Sequence, residues 1–128
     1  MSFTQRPKTL AEVAQHGIEG AEFGDEIKDF LHEFLAGGNY AMLQEPPCRL
    51  EDRVPDGRRF DAFLQALAVY LAVKVDCDPP GWTKPPIQLS EPWFAAPGSA
   101  VRNYLLLSSP APFRTRNMFV DEDSLAAV

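Results

Sequence analysis

Eight of the chain's 12 prolines fall between residues 79 and 112. Inside a helix, proline removes a backbone donor and clashes with the preceding turn, and it pushes the residue before it towards extended backbone. The run "DCDPPGWTKPPIQLSEPWFAAPG", residues 76–98, therefore cannot hold regular helix for long. It is no linker either, because it carries Trp82, Trp93 and Phe94. The expectation is an ordered wrap, with both indoles lying on a body built by the rest of the chain.

That body reads as helical. Thr9 followed by Glu12 fits a capping box that opens a short helix through about His16, with Gly17 and Gly20 as its stop. Phe23, Ile27, Phe30, Leu31, Phe34 and Leu35 repeat at helical spacing and predict a helix over 23–36. Glu22, Asp25, Glu26, Asp29 and Glu33 form an acidic face on it, and Gly37-Gly38 end it. A further helical turn is open for Tyr40–Glu45. Asp56 is the expected N-cap of a central helix over 58–75, whose inward face is Phe60, Phe63, Leu64, Leu67, Leu71 and Val75. Its alanines allow close helix approach, and Gln65 reads as an exposed position. Ser99 is the expected cap of a last full helix over 100–107, with Val101, Tyr104, Leu105 and Leu106 turned inward. Asp121 and Ser124 open a final turn carrying Leu125 and Val128, and "NMFV" is the one stretch open to extended structure. The fold class expected is mainly α: a compact single-domain bundle of four to five helices with a Pro/aromatic-rich wrap. It spans 9–128 behind a flexible arm, 1–8.

The chain has 128 residues, 45% hydrophobic and 23% charged. This suits one globular domain and argues against disorder along its length. A net charge of −6 repels phosphate backbones, so direct nucleic-acid binding is not expected. Cys48 and Cys77 are the only cysteines, too few for a disulfide framework or a zinc site, and are expected as free thiols. No apolar run is long enough to span a bilayer and no signal-peptide pattern opens the chain, so a cytoplasmic protein is expected.

Searching for chemistry yields little. His32-Glu33 begins like a zinc-protease motif, but Ala36 stands where the second histidine is required. His16 reads as a surface or interface histidine. Asp76, Cys77 and Asp78 make a polar helix end better than a coordination shell. Nucleophile elbow, phosphate loop and dinucleotide fingerprint are all missing. No catalytic residue, cofactor or metal is expected, and the chain reads as a non-enzyme. Trp82 and Trp93 read as packing residues or contact anchors.

The remaining candidates lie in "SSPAPFRTRNMFV", residues 108–120. Phe113 and Phe119 are large enough to anchor this segment. Arg114 and Arg116 would share a face if it were extended. Three uses for the arginines stay open: acidic faces or helix carbonyls of this chain, a partner protein, or a nucleotide or phosphate. The candidate partner-binding residues are Arg114, Arg116, Phe113, Phe119 and Trp93.

The features "ALAVYLAVK" (66–74), Trp82, Pro85, "EPWF" (91–94), Arg102–Leu107 and "SSPAPFRTRNMFVDEDSL" (108–125) together resemble the C-terminal region of a family of small bacterial regulators. Those proteins carry a Cro/repressor-type helix-turn-helix ahead of this region and often act as antitoxins beside toxin genes. The resemblance covers Ala66–Val128, about half of the chain. Upstream, "AEFGDEIKDFLHEFL" is acidic and lacks the basic recognition helix of a DNA reader. The resemblance thus implies an accessory domain without its DNA-binding partner domain: an antitoxin-like module that neutralises or regulates a cognate protein, such as a toxin, by direct contact. The acidic helix 23–36 would match a basic surface on that partner, and homo-oligomerisation stays open. The alternative is a small ligand-binding domain or enzyme with a pocket under the Trp82/Trp93 segment.

Overall fold

A computed structural model describes residues 6–95 and 98–126. Among them are six α-helices: α1 (Leu10–Ile18), α2 (Phe23–Leu35), α3 (Ala41–Gln44), α4 (Gly57–Lys74), α5 (Ser99–Ser108) and α6 (Ala111–Arg114). Two short strands, β1 (Trp93–Phe94) and β2 (Met118–Phe119), pair in parallel. Single 3₁₀ turns cover Gly81–Thr83 and Glu122–Ala126. The mainly α expectation holds. Residues 1–5 of the expected arm and Val128 of the expected final turn lie outside the described residues. Of the arm's remainder, Pro7 is buried and Lys8 Nζ donates to Glu33 Oε1 at 3.1 Å.

Local chemistry explains most helix ends. Thr9 Oγ1 accepts from Glu12 N, and Glu12 reaches back to Lys8 N. Helix α1 runs through Gly17 rather than stopping there. Its end is at Gly20, whose φ of 108° lets Ala21 N reach the His16 carbonyl at 2.9 Å. Asp76 plays the same part after α4: at φ 57° it lets Cys77 N donate to the Ala72 carbonyl at 2.8 Å. Asp76-Cys77-Asp78 is thus a helix end, as its polarity implied.

Of two expected caps, one keeps its position without a side-chain cap bond and the other is corrected. Asp56 occupies the N-cap position of α4 in the left-handed region and makes no side-chain cap bond; its carboxylate pairs with Arg59 at 3.5 Å. Helix α5 starts at Ser99 itself, so the capping position falls to Gly98 at φ 105°. Helix α6 replaces an expected extended exit: Pro110 precedes it and Pro112 sits in its first turn, where a missing N–H costs nothing.

Helix α4 is the axis of the core. Leu64, Leu67 and Leu71 are fully enclosed, as are Ala62, Ala66, Ala68 and Ala72. Helix α1 lies along α2, and α2 meets α4 through rings: Phe23 stacks on Phe60 at 4.1 Å. Helix α6 and the 3₁₀ turn at 81–83 cover other sides of α4. Gly57 admits the 46–56 connection, since a Cβ there would fall 1.8 Å from the Leu50 carbonyl oxygen. Asp61 then holds that connection by accepting from Leu50 N (2.8 Å) and Glu51 N (3.1 Å). Burial pushes the Asp61 carboxyl up from its usual range while the two amides pull it back.

Paired substitutions test this packing. Gly57→Ala should cost about 3 kcal/mol, because backbone rather than a side-chain tip must move. Gly17→Ala has nothing within 4 Å of its new methyl and should stabilise by about 0.5–1 kcal/mol. Leu67→Ala should cost about 2–5 kcal/mol, against a small change for Val73→Ala on the exposed side of the same helix. Chemical denaturation of the four variants reads all of these.

Candidate functional site

The opening of α6 and the turn after it bring Arg116 inside the protein, only 4% exposed. Its Nε donates to Gln65 Oε1 (3.2 Å), its Nη1 to the Pro112 carbonyl (2.9 Å) and its Nη2 to the Thr83 carbonyl (3.1 Å). Gln65 is itself buried, not exposed as its place in the sequence suggested. It also accepts from Ile87 N (2.8 Å) and donates to the Pro85 carbonyl (3.2 Å). Two side chains thus tie α4, the proline wrap and the C-terminal segment together. Burial lowers the Arg116 pKa from its ordinary value, yet a guanidinium stays charged. No carboxylate among the described residues lies within ion-pair distance of it, so carbonyl dipoles face the charge.

Beyond this hub, Leu89 N, Trp93 N and Ala95 N donate to the carbonyls of Arg116, Asn117 and Phe119, at 3.0–3.1 Å. Asn117, at φ 66°, adds a side-chain bond to the Leu89 carbonyl. The β1–β2 register places Trp93 beside Met118 and Phe94 beside Phe119. Strand side chains alternate, so the two pairs serve opposite faces. Phe94 and Phe119 stack at 5.0 Å, with the Arg102 guanidinium over Phe94. Trp93 and Met118 instead help line a cavity of about 500 Å³, together with Phe23, Phe60, Phe63 and Val120. Arg59 stands at this cavity, its guanidinium 5.2 Å from the Phe60 ring centre and 5.1 Å from that of Trp93. Glu22 also lines it, but its carboxylate accepts from Asp25 N as the N-cap of α2.

Trp82 belongs elsewhere. Its indole N–H donates to the Leu43 carbonyl at 2.8 Å, and it lines a separate cleft with Pro46 and Pro47. The two tryptophans of the expected pocket segment therefore line separate cavities.

Helix α5 departs furthest from expectation. Val101, Tyr104 and Leu106 were expected to face inward, but only Leu105 is buried. Val101, Tyr104 and Leu107 recur every three residues and make one outward strip, with Leu107 85% exposed. The segment 98–108 crosses the surface beside β2 and rests on it largely through Leu105.

The expected acidic surface of α2 is also reduced. Glu26 is buried against His16 Nδ1, which makes His16 part of an internal pair. Glu22 is a cap, and Glu33 faces both Lys8 and Arg6, with Lys8 foremost in holding its carboxyl below the usual range. Asp25 and Asp29 remain for solvent or a partner.

Of the five candidate contact residues, Phe113 and Arg116 are interior and no partner reaches them in this conformation. Phe113 packs edge-on against Phe63 and Tyr70. Arg114 is exposed at the end of α6 and Arg116 is buried in the hydrogen-bonded turn that follows, so the two arginines do not share a face. Trp93 and Phe119 are half-buried on opposite sides of the strand pair. Missed by sequence reasoning were Gln65, Arg59 and the outward strip of α5. Cys48 and Cys77 are unpaired. No helix among the described residues is long and apolar enough to cross a membrane.

The two arginines are separable by experiment. Arg116→Gln leaves buried carbonyls short of donors and should cost about 3 kcal/mol. Arg114→Gln should stay within about 0.5 kcal/mol of the parent. Equal melting shifts for the two would contradict the buried hub. No family model matches the chain, and no curated protein or solved structure matches it either.

Proposed function

We propose that the chain is a protein-binding module that acts on a cognate partner protein by direct contact, in the manner of an antitoxin. One observation carries this reading: the apolar strip Val101–Tyr104–Leu107 on α5, which the body leaves uncovered. A run of large apolar side chains held outward on an ordered helix is unfavourable in water and fits a partner's surface. Tyrosine beside leucine and valine is also the composition of a contact centre, where a rigid amphipathic ring gives area at low entropy cost.

A catalytic reading has less support. Of the groups lining the large cavity, Glu22, Arg59 and Ser124 bear polar side chains, and Glu22 is held as a helix cap. General acid–base or nucleophilic work needs groups converging within hydrogen-bond reach. On this reading binding is steric and apolar at its centre. The net charge of −6 favours approach to a basic partner over distance, while the internal use of Glu22, Glu26 and Glu33 leaves α2 a smaller part than its composition implied.

The test is purification of the tagged full-length chain from its native host, beside the double variant Tyr104→Glu/Leu107→Glu. One stoichiometric protein is expected with the parent and none with the variant, at equal melting temperature. Expressed alone, that protein should arrest growth; the parent chain should relieve the arrest and the variant should not. A co-purifying protein retained by the variant would sink the assignment of the strip. Parent chains that form a dimer by light scattering, dissociated by the same two changes, would assign the strip to a second copy instead.

A further inference from the structure

The cavity beside Trp93 holds a separate possibility, independent of what covers α5. Its walls come from three parts of the chain: Phe23 at the start of α2, Phe60 and Phe63 on α4, and the β1–β2 pair with Trp93, Met118 and Val120 following. The rings brace one another. Phe23 stacks on Phe60, and Phe63 meets both Phe23 (6.1 Å) and Trp93 (6.4 Å) edge-on. At about 500 Å³ the space is within the size range of small-molecule sites.

A box of aromatic rings ordinarily attracts a cation to its faces. Here the protein supplies that cation. The Arg59 guanidinium lies over both Phe60 and Trp93. This placement repels a second positive charge and presents donors to an incoming group. Among the described residues its polar partner is Asp56, at 3.5 Å, and the Asp56 side chain is 62% exposed. An exposed pair of this kind contributes little and yields readily to a competing acceptor. Glu22 Oε2 accepts from Asp25 N at the start of α2, and no ion pair joins Glu22 to Arg59 among the described residues.

From these observations we infer that the cavity is a binding site for a small amphipathic monoanion: an apolar body of medium-chain or single-ring size among the aromatic side chains, with one carboxylate on Arg59. The charge of the whole chain, −6, disfavours polyanions. It does not prevent one carboxylate from binding next to a guanidinium, whose fork matches it in geometry. Apolar transfer supplies the affinity and the arginine supplies the selectivity.

The test is titration calorimetry of the full chain with decanoate, decan-1-ol and decylamine. Decanoate should bind one per chain, more tightly than the alcohol, with the amine weakest. Arg59→Gln should weaken decanoate by about tenfold, the scale of one charged hydrogen bond, and leave the alcohol unchanged. Ala95 is exposed at the cavity's edge, and its backbone N–H stays bonded to the Phe119 carbonyl whatever its side chain. Ala95→Trp should therefore plug the site and abolish binding of both without lowering the melting temperature. Failure of decanoate to bind, or binding that survives Ala95→Trp, would overturn the site. Decanol and decanoate of equal affinity, or preference for the amine, would overturn the assigned charge.

Discussion

A buried guanidinium with no carboxylate beside it among the described residues organises this protein. Arg116 leaves water at a substantial cost, and that cost is offset only because carbonyls of Pro112 and Thr83 and the amide oxygen of Gln65 all point at it. Neither of the two backbone acceptors lies in an element that could position it alone. Thr83 and Pro85 sit in a proline-rich path without a ladder, and Pro112 sits in a single helical turn. Gln65, fixed by the packing of α4, is the one rigid reference point. The hub therefore works in both directions: α4 orders the wrap and the C-terminal segment through Gln65, and those segments roof the polar spot that Gln65 makes in an apolar helix. Among the described residues every buried side-chain polar atom finds a partner, which is what lets such a spot survive in a core.

The parts of this fold legible in the sequence were those governed by local rules. Phe23 to Leu35 and Phe60 to Leu71 repeat at 3.6 residues, and a stripe of that regularity has one good conformation. The order of the wrap was legible for a different reason: indoles in a proline-rich path find no favourable place in water. Gln65 was misread because a polar residue on an apolar helix is ordinarily its solvent side. Asp61 and Arg58, one and two turns before it, make that side look like a continuous polar stripe, although Asp61 is itself buried. Arg116 follows the reading that kept the arginines on carbonyls of this chain; the shared face, which required an extended segment, does not form because Pro110 and Pro112 favour a helical first turn. Helix α5 reads "VRNYLLL", with apolar residues at almost every late position, so periodicity could not say which side is covered.

The cavity was beyond the sequence altogether. Phe23, Phe60, Trp93 and Met118 are separated by tens of residues, and each reads singly as core. What makes them a wall rather than a filled interior is the register of two short strands, Trp93 with Met118 and Phe94 with Phe119. A shift by one residue would exchange the faces, sending Phe94 and Phe119 to the cavity and Trp93 towards α5. The same two-residue ladder thus separates the two features on which the proposals rest: the aromatic cavity on one side and the outward helix on the other. It is held less by its own length than by Asn117, whose left-handed backbone and side-chain bond to Leu89 pin the register.

The distance in chain order between the two halves of the hub sets a schedule for synthesis. Gln65 and Arg116 are 51 residues apart, and Tyr70 and the Glu122 that accepts its hydroxyl are 52 apart. At about 5–20 residues per second, a ribosome delivers Arg116 roughly 3–10 s after Gln65. Throughout that interval α4 is a formed or forming helix whose apolar surface and central amide lack their roof. A nascent chain in this state resembles a chaperone client more than an early domain.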